Sequence, residues 1–281
     1  MPQKTAPQDS SVAASDPSAP SQGTPPAPAL HAITVGEGEA ARKIAVLERP
    51  GAEPPVVWLG GFKSDMRSTK ASVLDAWAAE AGRRFVRFDY TGHGESGGAF
   101  ERSGISQWLE DTLAVLERFA PRAPLLVGSS MGGWIALLAV RALAATPGRA
   151  PSGLVLIAPA VDFTERLMWE RFPEDIRRTI MDKGIYQRPS LYADEGYAIT
   201  RTLIEDGRRH LLLDGPIATG CPVHILQGME DPDVPFEHAL RLVEHLPGDD
   251  VQITLVKDGD HRLSRPEDLD RMIGAIEGMV E

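Results

Sequence analysis

Three side chains of this sequence stand where they could together move a proton and form an acyl bond. Gly128-Ser129-Ser130-Met131-Gly132 is a G-x-S-x-G pattern that ends an apolar β-forming run (LLVGSSM) and opens a small-residue helical run (GGWIALLAVRAL). A strand turning that sharply into a helix holds its central residue in a strained backbone with the side chain clear of the sheet. Ser130 is therefore the candidate nucleophile, and Gly128 and Gly132 flank it because a Cβ at either place would crowd strand against helix. A serine hydroxyl is a weak nucleophile near neutral pH and needs a general base. Of the seven histidines, His261 follows the last strand in the loop KDGDHRLS, at the sheet end where the serine turn lies. His224 sits within an apolar strand and reads as a core imidazole, and His238 and His245 read as solvated positions on an outer helix. The base needs a carboxylate to hold its tautomer and stabilise the imidazolium. The strand PVHILQG runs into GMEDPDVP, which makes Asp231 the first choice, with Asp233 and Asp162 as alternatives.

Acyl chemistry also needs donors aimed at the oxygen on which charge develops. The backbone N–H of Met131, directly after the serine and at a helix start, is one candidate. The loop after VVWL reads Gly60-Gly61-Phe62-Lys63, and its two glycines would let the N–H of Phe62 approach a substrate. The turn TGHGES contains His93, whose flanking glycines suit a scaffold role better than a catalytic one.

These residues need a sheet to bring them together. Apolar runs at 33–35, 43–48, 56–59, 85–90, 125–129, 153–160, 222–228 and 251–257 read as strands, and helical patterns lie at 68–81, 105–120, 132–145, 236–246 and 266–280. The alternation predicts an α/β fold with a mostly parallel sheet covered on both faces. Residues 161–221 interrupt the rhythm, and a bare crossover needs only about a dozen residues. Their helical patterns (ERLMWERF, EDIRRTIMDKG, EGYAITRTLIEDGRR) predict a helical cap beyond a strand's carboxyl end, where ligands bind in such sheets.

The 281 residues carry a net charge of −11, which argues against nucleic acid and anionic lipid as partners. No apolar stretch reaches the roughly 18 residues that span a bilayer. The single cysteine, Cys221, excludes an internal disulfide framework and fits a reducing, cytoplasmic compartment. Residues 1–30, rich in Pro, Ser and Ala, read as a disordered tail ahead of one domain over 31–281. No residue cluster has metal-ligand spacing, and neither a phosphate loop nor a dinucleotide fingerprint is present, so no metal or cofactor is expected.

The order Ser130, Asp231, His261 is that of the α/β-hydrolase triad. From about residue 54 onward the chain resembles the palmitoyl-protein thioesterase and acyl-glucuronide esterase branch of that superfamily. The resemblance is carried by GGFKSDMRSTKA, RFDYTGHGES, LLVGSSMGGW, MDKGIYQRPSLYADEGYAIT, CPVHILQGMEDPDVP and DGDHRLS. His93 departs from it, standing where the branch has a small residue. The resemblance implies an α/β-hydrolase fold and a serine hydrolase of small acyl esters or thioesters, with acylated proteins among the substrates it admits. The same triad could instead serve a peptidase, a lactonase or a C–C hydrolase, and the fold could serve a receptor that catalyses nothing.

Overall fold

A computed structural model describes residues 26–188, 196–248 and 250–280. Eight strands form one sheet: β1 (Ala29–Val35), β2 (Arg42–Arg49), β3 (Ala52–Leu59), β4 (Arg83–Phe88), β5 (Leu125–Ser129), β6 (Gly153–Ile157), β9 (Val223–Gly228) and β10 (Val251–Val256). Their spatial order is β1-β2-β4-β3-β5-β6-β9-β10. The β1/β2 and β2/β4 pairs are antiparallel and every later pairing is parallel.

Successive residues of the central strands feed opposite cores, as a period of two demands. Val57, Leu59, Leu126, Leu154 and Leu156 meet α2 (Ile105–Phe119), α3 (Met131–Leu143) and α6 (Phe236–His245) on one face. Val56, Trp58, Leu125, Val127, Val155 and Ile157 meet α1 (Thr69–Glu80) and α7 (Pro266–Val280) on the other. With both faces covered, the strands can be apolar throughout, which is why their sequences do not alternate.

Two strands end earlier than their apolar runs. β4 stops at Phe88 because Asp89 turns away, its carboxylate accepting the amides of Met66 (2.6 Å) and Glu95 (2.7 Å). β6 stops at Ile157 because Ala158 takes a left-handed conformation, φ 44°. At the other end of the chain, β1 claims Ala29 and Leu30, and the Pro26 carbonyl accepts from Arg49, so order begins before residue 31. Residues 1–25 of the expected tail lie outside the described residues.

The segment between β6 and β9 is not purely helical. It holds a π-type turn at Thr164–Met168, α4 (Glu174–Lys183), α5 (Arg201–Gly207) and an antiparallel hairpin of β7 (Ile185–Arg188) with β8 (Tyr197–Thr200). Tyr197–Thr200, part of a run expected to be helical, is therefore strand. Ile199 pairs with Tyr186 and Tyr197 with Arg188, and these β-branched and aromatic side chains suit a pleated pairing. Thr200 then caps α5, its hydroxyl accepting the amide of Leu203 at 3.0 Å. Residues 189–195, part of the segment that carries the family resemblance, lie outside the described residues.

Candidate active site

Ser130 stands between β5 and α3 with φ 54° and ψ −117°, a conformation costly for any residue with a Cβ. Its neighbours hold it there. Its amide donates to the Ile157 carbonyl (2.8 Å), and its carbonyl accepts from Gly133 (2.9 Å) and Ala160 (3.1 Å). The glycines are needed for closeness: a Cβ on Gly128 would stand 2.5 Å from the Gly132 oxygen, and one on Gly132 would stand 2.1 Å from the Leu59 oxygen.

Asp231 and His261 come from the loops after β9 and β10, parallel neighbours whose carboxyl ends lie side by side. These loops are stitched together by the Met229 amide on the Val256 carbonyl and the Glu230 amide on the Gly259 carbonyl, both at 2.9 Å. Gly228 makes the stitch feasible, since a Cβ there would lie 2.3 Å from the Gly259 oxygen. The Asp231 carboxylate is fully buried and committed on both oxygens. Oδ1 accepts the amides of Asp233 (2.9 Å) and Val234 (2.8 Å), while Oδ2 meets His261 Nδ1 at 2.7 Å. On the far side of the ring, His261 Nε2 lies 3.1 Å from Ser130 Oγ. A carboxylate bound to Nδ1 fixes the proton there and leaves Nε2 free to accept one.

The alternatives fall elsewhere. Asp162 is buried with its carboxylate on the amides of Leu212 and Leu213, so it ties chain to chain and does not touch the imidazole. Asp233 reaches Asp231 through its own backbone amide. His238 departs from its solvated expectation. It is 8% exposed, its ring bonded to the Val161 carbonyl at 2.8 Å, and burial pushes its pKa down to about 4. His224 is half-buried where a core imidazole was expected, and it bonds Thr254 on the neighbouring strand. Among the described residues, Asp231, Asp233 and His261 could between them approach a cation. A cation there would have to displace the Asp231–His261 bond, so the donor set favours the carboxylate–imidazole pairing.

One supporting residue went unseen in the sequence. Gln227 is buried and donates from Nε2 to the carbonyls of Gly228 and Val234 (2.9 Å each) and to Asp231 (3.3 Å), shaping the acid loop. A lone amide in the apolar run HILQG was the available signal, because buried polar groups must find partners. His93 keeps its scaffold role with a definite partner: its Nε2 accepts the amide of Lys63 at 3.1 Å, fixing the loop that carries Phe62.

Over the serine, Gly61 brings that loop so close that a Cβ on it would be 3.5 Å from Ser130 Cβ. Phe62 follows it, and Met131 opens α3 directly after the serine. The Phe62 ring packs edge-on against Phe100, Phe163 and Tyr197 at 5.0–6.0 Å. A cleft of about 640 Å³ opens here, bordered by Ser130, His261, Phe62 and, from the β7/β8 hairpin, Tyr197. No helix among the described residues is long and apolar enough to cross a membrane.

Known proteins resemble this chain along most of its length. The sequence model of the alpha/beta hydrolase family matches residues 56–272. Bovine palmitoyl-protein thioesterase ABHD10, a mitochondrial protein, is 32% identical over 232 residues, which is 82% of this chain and 74% of the relative. The mouse alpha/beta hydrolase domain-containing protein 10 superposes with a TM-score of 0.79 at 31% identity, covering 90% of this chain and 98% of that one. A crystallised protein from Agrobacterium vitis superposes with a TM-score of 0.88 at 54% identity, covering 90% and 99%. With sheet order, serine turn and sequence in agreement, the chain belongs to the alpha/beta hydrolase family.

Proposed function

We propose that this protein is a serine hydrolase that cleaves carboxylic esters and thioesters through an acyl-enzyme on Ser130. The observation that carries the reading is the unbroken relay from Asp231 through His261 to Ser130, with contacts of 2.7 and 3.1 Å. His261 Nε2 takes the hydroxyl proton as Ser130 Oγ bonds to the acyl carbon, and Asp231 stabilises the imidazolium. The amides of Phe62 and Met131 receive the negative oxygen of the tetrahedral intermediate. Its collapse breaks the bond to the leaving oxygen or sulfur, which takes the proton from His261. Water then repeats the sequence on the acyl-serine, losing a proton to His261 as it attacks and releasing the acid.

The activity named for the ABHD10 relatives supports the thioester arm and extends the substrate class to acylated proteins. Residues 161–221, which contribute Tyr197 to the cleft, act as the cap over the site. A reducing, cytoplasmic location is the reading that the single cysteine supports. Ser130→Ala is expected to lower kcat on 4-nitrophenyl butyrate by about 10⁴-fold or more. It should also abolish labelling by a fluorophosphonate probe. A Ser130→Ala protein turning over at the wild-type rate overturns the proposal.

A further inference from the structure

One side of the cleft is not accounted for by the triad. It is formed by the start of α1 and by the loop that carries His261, and it is polar. Ser68 precedes α1 but makes no side-chain capping bond, and the first turn of the helix holds no acidic residue. Helix starts carry roughly half a positive charge. Lys70 projects from this turn, its ammonium bonded to the Arg262 carbonyl and near the Ser264 hydroxyl (3.5 Å). Lys63, Lys70 and Arg262 all border the cleft, and among the described residues no aspartate or glutamate does. The chain as a whole carries 40 acidic residues against 29 basic ones, so this concentration of cations runs against its composition.

A second observation is independent of the charges. Trp58, at the end of β3, borders the same cleft, is 1% exposed, and its indole N–H has no hydrogen-bond partner. Gly60 lies beside that nitrogen, and an added Cβ would stand at ordinary contact distance from it, 3.8 Å. Burial of an unsatisfied donor has a cost that a bound acceptor would remove. Lys70 is held at a cost as well. Burial first, and the Arg262 guanidinium second, push the Lys70 pKa down to about 8.

We infer that this side of the cleft receives an anionic group, carboxylate or phosphate, carried on the leaving-group half of the substrate. The assignment to that half rests on the serine-hydrolase reading. His261 must hand its proton to the departing atom, so the leaving group exits on the His261 side, where Arg262 and Lys70 stand. The acyl half then faces the aromatic wall of Phe62 and Tyr197.

The test compares 4-nitrophenyl butyrate with its carboxylate analogue, 5-butyryloxy-2-nitrobenzoate, each rate normalised to hydrolysis by hydroxide. The wild-type kcat/KM is expected to favour the anionic ester by roughly tenfold, the scale of a hydrogen bond to a charged group. The preference should shrink in 0.5 M NaCl. It should fall towards unity in Lys70→Gln but persist in Arg118→Gln, which removes an exposed charge from the end of α2. In the wild type it should also decay as pH rises past about 8, as Lys70 loses its proton among Arg262, Asp260 and Asp268. This last measurement needs no variant to fold. Competitive inhibition by inorganic phosphate at millimolar concentration assigns the site to phosphorylated leaving groups, and preference without such inhibition assigns it to carboxylates. Equal normalised kcat/KM for the two esters in wild type overturns the inference and leaves the hydrolase reading standing. Failure to cleave either ester overturns the hydrolase reading itself.

Discussion

His93 offers a way to disturb the loop over the serine without touching any reacting group. It is 4% exposed and lies among the rings of Tyr90, Phe100 and Trp108, 5.2–5.7 Å away. Because Lys63 N–H can only donate, Nε2 must accept, which puts the proton on Nδ1 for the Thr91 carbonyl (3.1 Å). Burial drives the His93 pKa down to about 4, so this tautomer holds throughout the neutral range. Replacing His93 by phenylalanine keeps a ring in place and removes both bonds. The Thr91 carbonyl retains the Trp108 indole N–H at 3.1 Å, so the change falls on Lys63. Lys63 holds φ 60°, a left-handed conformation that costs a side-chain-bearing residue roughly 1–2 kcal/mol. The bond to His93 offsets about 1 kcal/mol of that, and an orphaned amide adds a similar penalty. The two overlap, and a combined shift of about 1.5 kcal/mol lowers the ratio of molecules with Phe62 in position to those without by roughly tenfold. We therefore expect His93→Phe to lower kcat on 4-nitrophenyl butyrate by up to roughly tenfold with little change in KM. His93→Gln, which restores an acceptor, should recover much of the loss. Urea denaturation of each variant separates this effect from a general loss of stability. A His93→Phe enzyme with wild-type kcat/KM would refute the reasoning.

Other consequences are equally open to measurement. Gly228→Ala puts a Cβ 2.3 Å from the Gly259 oxygen and must push the acid and base loops apart. Since about 1 Å of misplacement can cost 10²-fold, kcat should fall by that order while the far-ultraviolet circular dichroism stays native. Undiminished activity would mean that the loops tolerate separation. Acid should weaken the fold through His93 and His238, both held near pKa 4 by burial. Between about pH 6.5 and 4 the unfolded chain takes protons that these two folded imidazoles refuse. Their contribution is thus complete above about 6.5 and lost as pH drops towards 4, by roughly 1.4 kcal/mol per pH unit for each histidine. The urea midpoint should decline over that range and decline less steeply in His238→Asn. A flat midpoint would contradict the assignment.

The meeting of Ser130, Asp231 and His261 was readable from the sequence because each follows an apolar strand, and parallel strands bring their carboxyl ends to one edge. What each residue touches sideways was not readable. His238 shows why: its helix pattern announces a face but not the Val161 carbonyl that receives the ring. The run YAIT was ambiguous for a related reason, since short mixed segments carry both helix and strand propensity. Only the pairing with Ile185–Arg188 decides it. The partnership of His93 with Lys63 spans thirty residues and depends on how two loops settle, which no local pattern encodes.

Asp162 gathers the amides of Leu212 and Leu213 onto its carboxylate, fifty residues downstream of itself. The two ends of the intervening stretch thus meet at one side chain, much as a drawstring closes a bag, and Ser106 on Asp206 and Trp134 on the His210 carbonyl fasten it between them. Nature or an engineer could exchange the contents of that bag, cutting just inside the knot, and Ser130, Asp231 and His261 would remain on strands and turns outside the exchanged stretch. Diversification of what the enzyme admits is in this way uncoupled from the machinery that does the cutting.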